Sequence, residues 1–102
     1  MSSAQLASAV DGMADTLMAI RVGNAFSAMT CEEIESIAAV FVIAGRTDAA
    51  GHVIMMHGDG DGEPEDVHHD IFRALLKPNA GFSHDEDDEP FRLAMAHVRD
   101  LI

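Results

Sequence analysis

The chain has 102 residues, 18 acidic against 6 basic side chains, a net charge of −12 with histidine neutral, and 48% apolar residues. One small domain fits these numbers, a second core does not, and the apolar fraction excludes a mainly disordered chain. No apolar run approaches the roughly 18 residues of a membrane span, and the scattered Arg21, Arg46, Arg73, Lys77, Arg92 and Arg99 argue against direct nucleic-acid binding.

Residues 3 to 22 read as an amphipathic helix, with Leu6, Val10, Met13, Leu17 and Ile20 on one face and Asp11 and Asp15 outside it. Gly23 and Asn24 are its natural stop. Thr30 and Glu33 form a capping box for the next helix, with Met29 and Ile34 spaced as a hydrophobic staple. Glu32, Glu33 and Glu35 suit the positive end of its dipole. That helix is expected to run to about Ala44 and to end at Gly45, with Ile34, Ile37, Ala38, Phe41 and Val42 inward. Val40 and Ile43 widen its apolar surface, which predicts either a central helix or a second side for a partner.

Thr47 is the expected cap of a third helix from about Asp48 to His57, with Ala50, Val53, Ile54 and Met56 apolar and Gly51 a weak point. Residues 58–63 read as an acidic loop. Pro64 suits a first helical position, which predicts a fourth helix to about Lys77 with Val67, Ile71, Ala74 and Leu75 inward and Phe72 and Leu76 flanking. Residues 78–89 form a second loop containing Asn79, Gly81 and five successive acids, Asp85 to Glu89. Pro90 opens a last helix with Phe91, Ala94, Met95, Val98 and Leu101 at helical spacing. With no period-2 pattern, the fold class is all-α: a single irregular bundle of about five short helices over residues 1–102. The seven methionines and five phenylalanines are mostly core.

The richest ligand cluster runs from His57 to Asp70: His57, Asp59, Asp61, Glu63, Glu65, Asp66, His68, His69 and Asp70. Hard cations want several oxygens and transition metals want imidazole with carboxylate. Asp59-Gly60-Asp61-Gly62 echoes a calcium loop, but aligning its turn glycine puts His57 first and His68 twelfth, where neutral imidazole is a poor calcium ligand. His69-Asp70 resembles the paired ligands of HD-domain phosphohydrolases, which would add His52 or His57 upstream and Asp100 last; the chain lacks their cationic cluster for a phosphorylated substrate. The bland alternative is a hydrated acidic loop with His57 satisfying a helix end. Adjacent His68 and His69 do not share a helix face, so one at most joins any one site. The expected metal set, should the cluster bind a divalent cation, is His57, His69 and Asp70.

Cys31, the single cysteine, excludes an internal disulfide and agrees with a reducing compartment. The helix dipole lowers its pKa, the nearby glutamates raise it, and it reads as a small half-buried residue. Serine elbows, phosphate loops and dinucleotide fingerprints are absent.

The run Met29 to Ala38, the turn Ala44-Gly45-Arg46-Thr47-Asp48-Ala49-Ala50, His57, the Asp59 to Asp66 acidic loop and His68 together resemble small acidic proteins of actinobacterial phages and their hosts. The resemblance covers residues 29–70 and implies a phage accessory protein acting on host machinery. The resulting expectation is a cytoplasmic, non-enzymatic, protein-binding module. Its partner would carry a basic surface and meet Asp59, Asp61, Glu65, Asp66, Val40 and Ile43. The alternative is a metal-binding module or metal-dependent hydrolase on the 57–70 cluster. No membrane is expected, and Val40, Ile43 and Met55 are the apolar positions available to a homodimer.

Overall fold

The computed structural model describes residues 2–20, 26, 28–78 and 82–101, which hold five α-helices and no strand. They are α1 (Ser3–Met18), α2 (Cys31–Ile43), α3 (Thr47–Gly58), α4 (His69–Leu75) and α5 (Glu89–Asp100). Among the described residues no helix is long and apolar enough to cross a membrane. The expected stop at Gly23 and Asn24, and the loop residues Asn79 and Gly81, lie outside the described residues.

The centre of the bundle is α3, not α2. Every residue of α3 from Ala49 to Gly58 is buried, and it packs against the other four helices. Its composition is the reason. Small residues at Ala49, Ala50, Gly51 and Gly58 let neighbours approach closely, while Val53, Ile54, Met55 and Met56 fill the space between them. Gly51 is where α5 docks: a methyl there would run into Met95 Sδ and stand 3.1 Å from Phe91 Cε1. Gly58 does the same for α4, with the new carbon only 2.6 Å from Ile71 Cγ2 and 2.8 Å from Ile71 Cβ. Met55, expected as a candidate interface residue, is fully buried here.

The start of α2 is the capping box that the sequence predicts. Thr30 Oγ1 accepts from the Glu33 amide at 3.1 Å, and Glu33 Oε1 accepts from the Thr30 amide at 2.8 Å. Its end is a Schellman turn. Gly45 sits at φ +80°, the Arg46 amide donates to the Phe41 carbonyl at 2.8 Å, and the Gly45 amide donates to the Val42 carbonyl at 3.1 Å. This reversal lays α3 back along α2, burying Ile34, Ala38 and Phe41. Val40 and Ile43 remain on the outside, 47% and 87% exposed.

Helix α1 is held lightly. Ser2 and Gln5 make a second capping box, which the sequence reading missed. Of its residues only Ala14 is buried, with Val10, Leu17 and Met18 half-covered. Leu6 and Met13, expected inside, are exposed. The guanidinium of Arg46 pairs with Asp11, Asp15 and Asp48 and so ties α1 to the α2–α3 turn. These three carboxylates raise the Arg46 pKa, and Arg46 holds Asp48 below the usual carboxylate range.

The largest departure concerns α4, which begins at His69 and not at Pro64. Residues 59–68 form successive turns instead, with Asp66 Oδ2 accepting from the Glu63 amide and the His69 amide donating to the Asp66 carbonyl. Side-chain acceptors that satisfy local amides compete with helix formation. Val67, placed on an inner face by the longer helix, is consequently 58% exposed. Helix α5 begins at Glu89 with Pro90 in its first turn, and buries Phe91, Ala94 and Val98 as the spacing predicts.

Candidate metal centre

Four side chains converge where the start of α2, the end of α3 and the 59–68 turns meet. Cys31 is the first residue of α2, His57 lies in the last turn of α3, Asp61 follows one turn later, and His68 immediately precedes α4. Cys31 Sγ, one ring nitrogen of each histidine and a carboxylate oxygen of Asp61 all lie within 4.8 Å of one another. His57, Asp61 and His68 are buried, and Cys31 is half-buried.

Local structure explains why these four meet. The Gly60 amide donates to the His57 carbonyl and the Asp61 amide to the Gly58 carbonyl, so the chain tightens after α3 and turns Asp61 back toward His57. His69 Nδ1 donates to the Asp61 carbonyl at 2.9 Å, and the His69 ring stacks on Phe72. The box at Thr30 fixes the first turn of α2 and with it Cys31.

The hydrogen bonds around the histidines determine which nitrogen carries the proton. The Phe26 carbonyl lies 2.9 Å from His57 Nδ1 and can only accept, so Nδ1 bears a hydrogen and Nε2 is the nitrogen left for a ligand bond. Glu35 Oε1 lies 3.2 Å from His68 Nε2, which puts the hydrogen there and leaves a lone pair on Nδ1. His57 Nε2 and His68 Nδ1 are buried and have no hydrogen-bond partner. Both face the Asp61 carboxylate, at 3.4 Å from Oδ1 and 3.3 Å from Oδ2, and the Cys31 thiol lies 3.4 Å from Oδ2. Burial pushes the His68 pKa down, the charge of His97 pushes it further, and Asp61 and Glu35 oppose both. A neutral His68 directs a lone pair at a carboxylate, a repulsive arrangement that a cation between them would reverse.

Donors about 2.0–2.3 Å from a tetrahedral zinc ion stand roughly 3.3–3.8 Å from one another. The contacts of His57 Nε2, His68 Nδ1 and Cys31 Sγ to the Asp61 carboxylate fall in that range, divided between its two oxygens, while the four candidate ligand atoms together lie within 4.8 Å, so they would close in around an ion. Thiolate with two imidazoles and a carboxylate is a zinc-class donor set. The surroundings match as well. His57 donates its other N–H to a backbone carbonyl and His68 donates to a carboxylate, the usual outer partners of metal-ligating histidines. Glu35 lies one turn after Cys31, so α2 supplies both a ligand and the carboxylate that orients another.

A nucleophilic role for Cys31 fits less well. Burial and the Asp61 carboxylate raise its pKa, whereas a cysteine nucleophile needs it lowered. The cause is Asp61 and burial, not the glutamates expected from the sequence.

The expected set of His57, His69 and Asp70 is not brought together. His57 is in the group, His69 positions the Asp61 backbone, and Asp70 pairs with His97 Nε2 at 3.2 Å. Of the adjacent histidines His68 alone enters the site, and it precedes α4, so the helix-face argument does not apply to it. His52, a candidate for the HD-type set, bonds the Ile20 carbonyl and His84, and Asp100 is exposed. Among the residues expected on an acidic binding surface, Asp59 and Glu65 are exposed and Asp66 is half-buried, while Asp61 points inward. Cys31 is the ligand candidate that the sequence reading missed, and Asp61 and His68 belong to its ligand cluster but lie outside the expected set. The twelve-residue window His57 to His68, considered there for calcium, contains three of the four candidates. No family model, curated protein or solved structure matches this chain.

Proposed function

We propose that this chain is a non-enzymatic metal-binding module in which Cys31, His57, Asp61 and His68 hold one divalent ion of the zinc class. The observation that carries the reading is the pair of buried, unpartnered imidazole nitrogens, His57 Nε2 and His68 Nδ1, aimed at one carboxylate beside a thiol. Four protein ligands complete a tetrahedron and leave no position for a substrate, which is the pattern of structural rather than catalytic zinc. The ion joins α2 to the end of α3 and to the 59–68 turns. It thereby shapes an outer surface with Asp59, Glu65 and Asp66 on the turns and Val40 and Ile43 on α2. A basic protein partner is the ligand class that this acidic surface favours.

The test is metal binding by the chelator-treated protein, with cobalt(II) as a spectroscopic probe. Expected are one bound equivalent, visible bands of tetrahedral cobalt, and a thiolate charge-transfer band that Cys31→Ser abolishes. Zinc should displace the cobalt. His68→Ala should weaken binding strongly, and His69→Ala should leave four ligands in place. Binding that survives His68→Ala but is lost in His69→Ala would return the site to the His57, His69 and Asp70 set.

A further inference from the structure

Resting on the metal reading above, the next inference concerns regulation at the same site. We propose that the site is a redox-gated clasp: two-electron oxidation of Cys31 by a peroxide ejects the metal and removes its link between α2 and the 57–68 segment. Two features of the site carry it. His57, Asp61 and His68 are 2%, 5% and 0% exposed, whereas Cys31 is half-buried and is the ligand that a small oxidant reaches from solvent. Three ligands also belong to one twelve-residue segment, and Cys31 is the only one from α2. Losing a histidine or the aspartate would weaken a site still anchored on both sides. Losing Cys31 removes every metal bond to α2.

The chemistry balances on the thiolate of the metal-bound state. The Cys31 sulfur attacks one oxygen of the peroxide, an S–O bond forms and the O–O bond breaks. The departing hydroxide, or alkoxide from an organic peroxide, is protonated by the buffer acid to water or alcohol. Sulfur is oxidised by two electrons and the peroxide is reduced by two. The metal keeps its charge and leaves because a neutral sulfenic acid is a far poorer ligand than a thiolate. Cys31 is the chain's single cysteine, so no internal disulfide can form. The oxidised residue is instead restored by an external thiol, through a mixed disulfide.

The experiment uses the zinc-loaded full chain. Bound zinc is first quantified after exhaustive dialysis; protein that holds none defeats the metal reading itself, before any oxidant is added. Hydrogen peroxide is then titrated in the presence of a chromogenic chelator, while a sulfenic-acid trap and mass spectrometry follow Cys31. Expected is about one equivalent of zinc released per equivalent of Cys31 oxidised, with rebinding after dithiothreitol, which does not reduce methionine sulfoxide. Cys31→Asp keeps a donor that peroxide cannot oxidise and should retain zinc under the same treatment. Zinc that stays bound while Cys31 is fully oxidised would overturn the clasp, and so would equal release from Cys31→Asp. Should Cys31→Asp fail to take up zinc, the thiol-reversible release from the unaltered chain decides the matter. Release that thiols do not reverse then counts against the proposal.

Discussion

At the scale of single residues, the metal centre depends on where two protons sit. Each imidazole has one nitrogen committed to a partner that can only accept, which leaves the other nitrogen to face the site. In the proposed metal site Glu35 would act on the ion through His68 without touching it. Its oxygen fixes the tautomer, orients the ring and raises the basicity of Nδ1. Glu35→Gln keeps the size and removes the charge, and its amide can present either an acceptor oxygen or a donor nitrogen to His68. The expected result is a loss of zinc affinity of about 10–100-fold with the one-to-one stoichiometry unchanged. Competition against a chelator of known affinity measures it. Unchanged affinity would mean that burial alone holds the His68 ring. None of this was legible in the sequence, because residues 31 and 35 lie far along the chain from 57–68. Cysteine next to glutamates reads there as a helix start, and only the Schellman turn at Gly45 shows that α2 folds back along α3 and brings its first turn to the histidines.

At the scale of helices, legibility followed the strength of local chemistry. The capping box at Thr30, the stop at Gly45 and the start at Pro90 each rest on groups within a few residues, and each stands where the sequence puts it. The start of α4 does not. Pro64 is compatible with a first helical turn, but the segment up to His68 is committed to turns that place Asp61 and His68 in the site. A tertiary requirement overrode a local preference. Gly51 reads as a weak point and Gly58 as a loop residue, yet both are places where another helix lies against α3. Gly58 is the sharper case, because the atoms it would meet are Cβ and Cγ2 of Ile71, a branched side chain with little freedom. Gly58→Ala should gain less than about 1 kcal/mol of helix propensity and lose about 1–3 kcal/mol to overpacking. A net drop in melting temperature of several degrees is expected. Because α4 must move away and His68 precedes it, zinc affinity should fall too. A melting point equal to or above that of the parent would show that α4 is loosely docked. Gly12, exposed in α1, is the control. A methyl added there meets nothing within 4 Å, so alanine should be neutral or stabilising.

At the scale of the whole molecule, two electrostatic effects act together and can be separated. The net charge of −12 makes the folded chain repel itself, and any cation relieves that repulsion. A cation held by four inward-facing ligands does something different: it binds the folded state and not the unfolded one. Salt distinguishes them, because the Debye length falls from about 30 Å at 0.01 M to 3 Å at 1 M while buried pairs are screened much less. The chelator-treated protein should therefore melt higher in 1 M than in 0.01 M sodium chloride. Zinc at about 100 times its dissociation constant should add roughly 2.7 kcal/mol, on the order of ten degrees or more for a domain of this size. That increment should persist in high salt, and magnesium, which prefers oxygen ligands, should not reproduce it. Melting curves over both salt concentrations, with chelator, magnesium or zinc, contain the whole comparison. A zinc effect that vanishes in 1 M salt, or that magnesium matches, would place the ion among the exposed acids of the surface instead of between Cys31, His57, Asp61 and His68. In that outcome α2 would be joined to the 57–68 segment by packing and by the Glu35–His68 and Cys31–Asp61 contacts, with no metal.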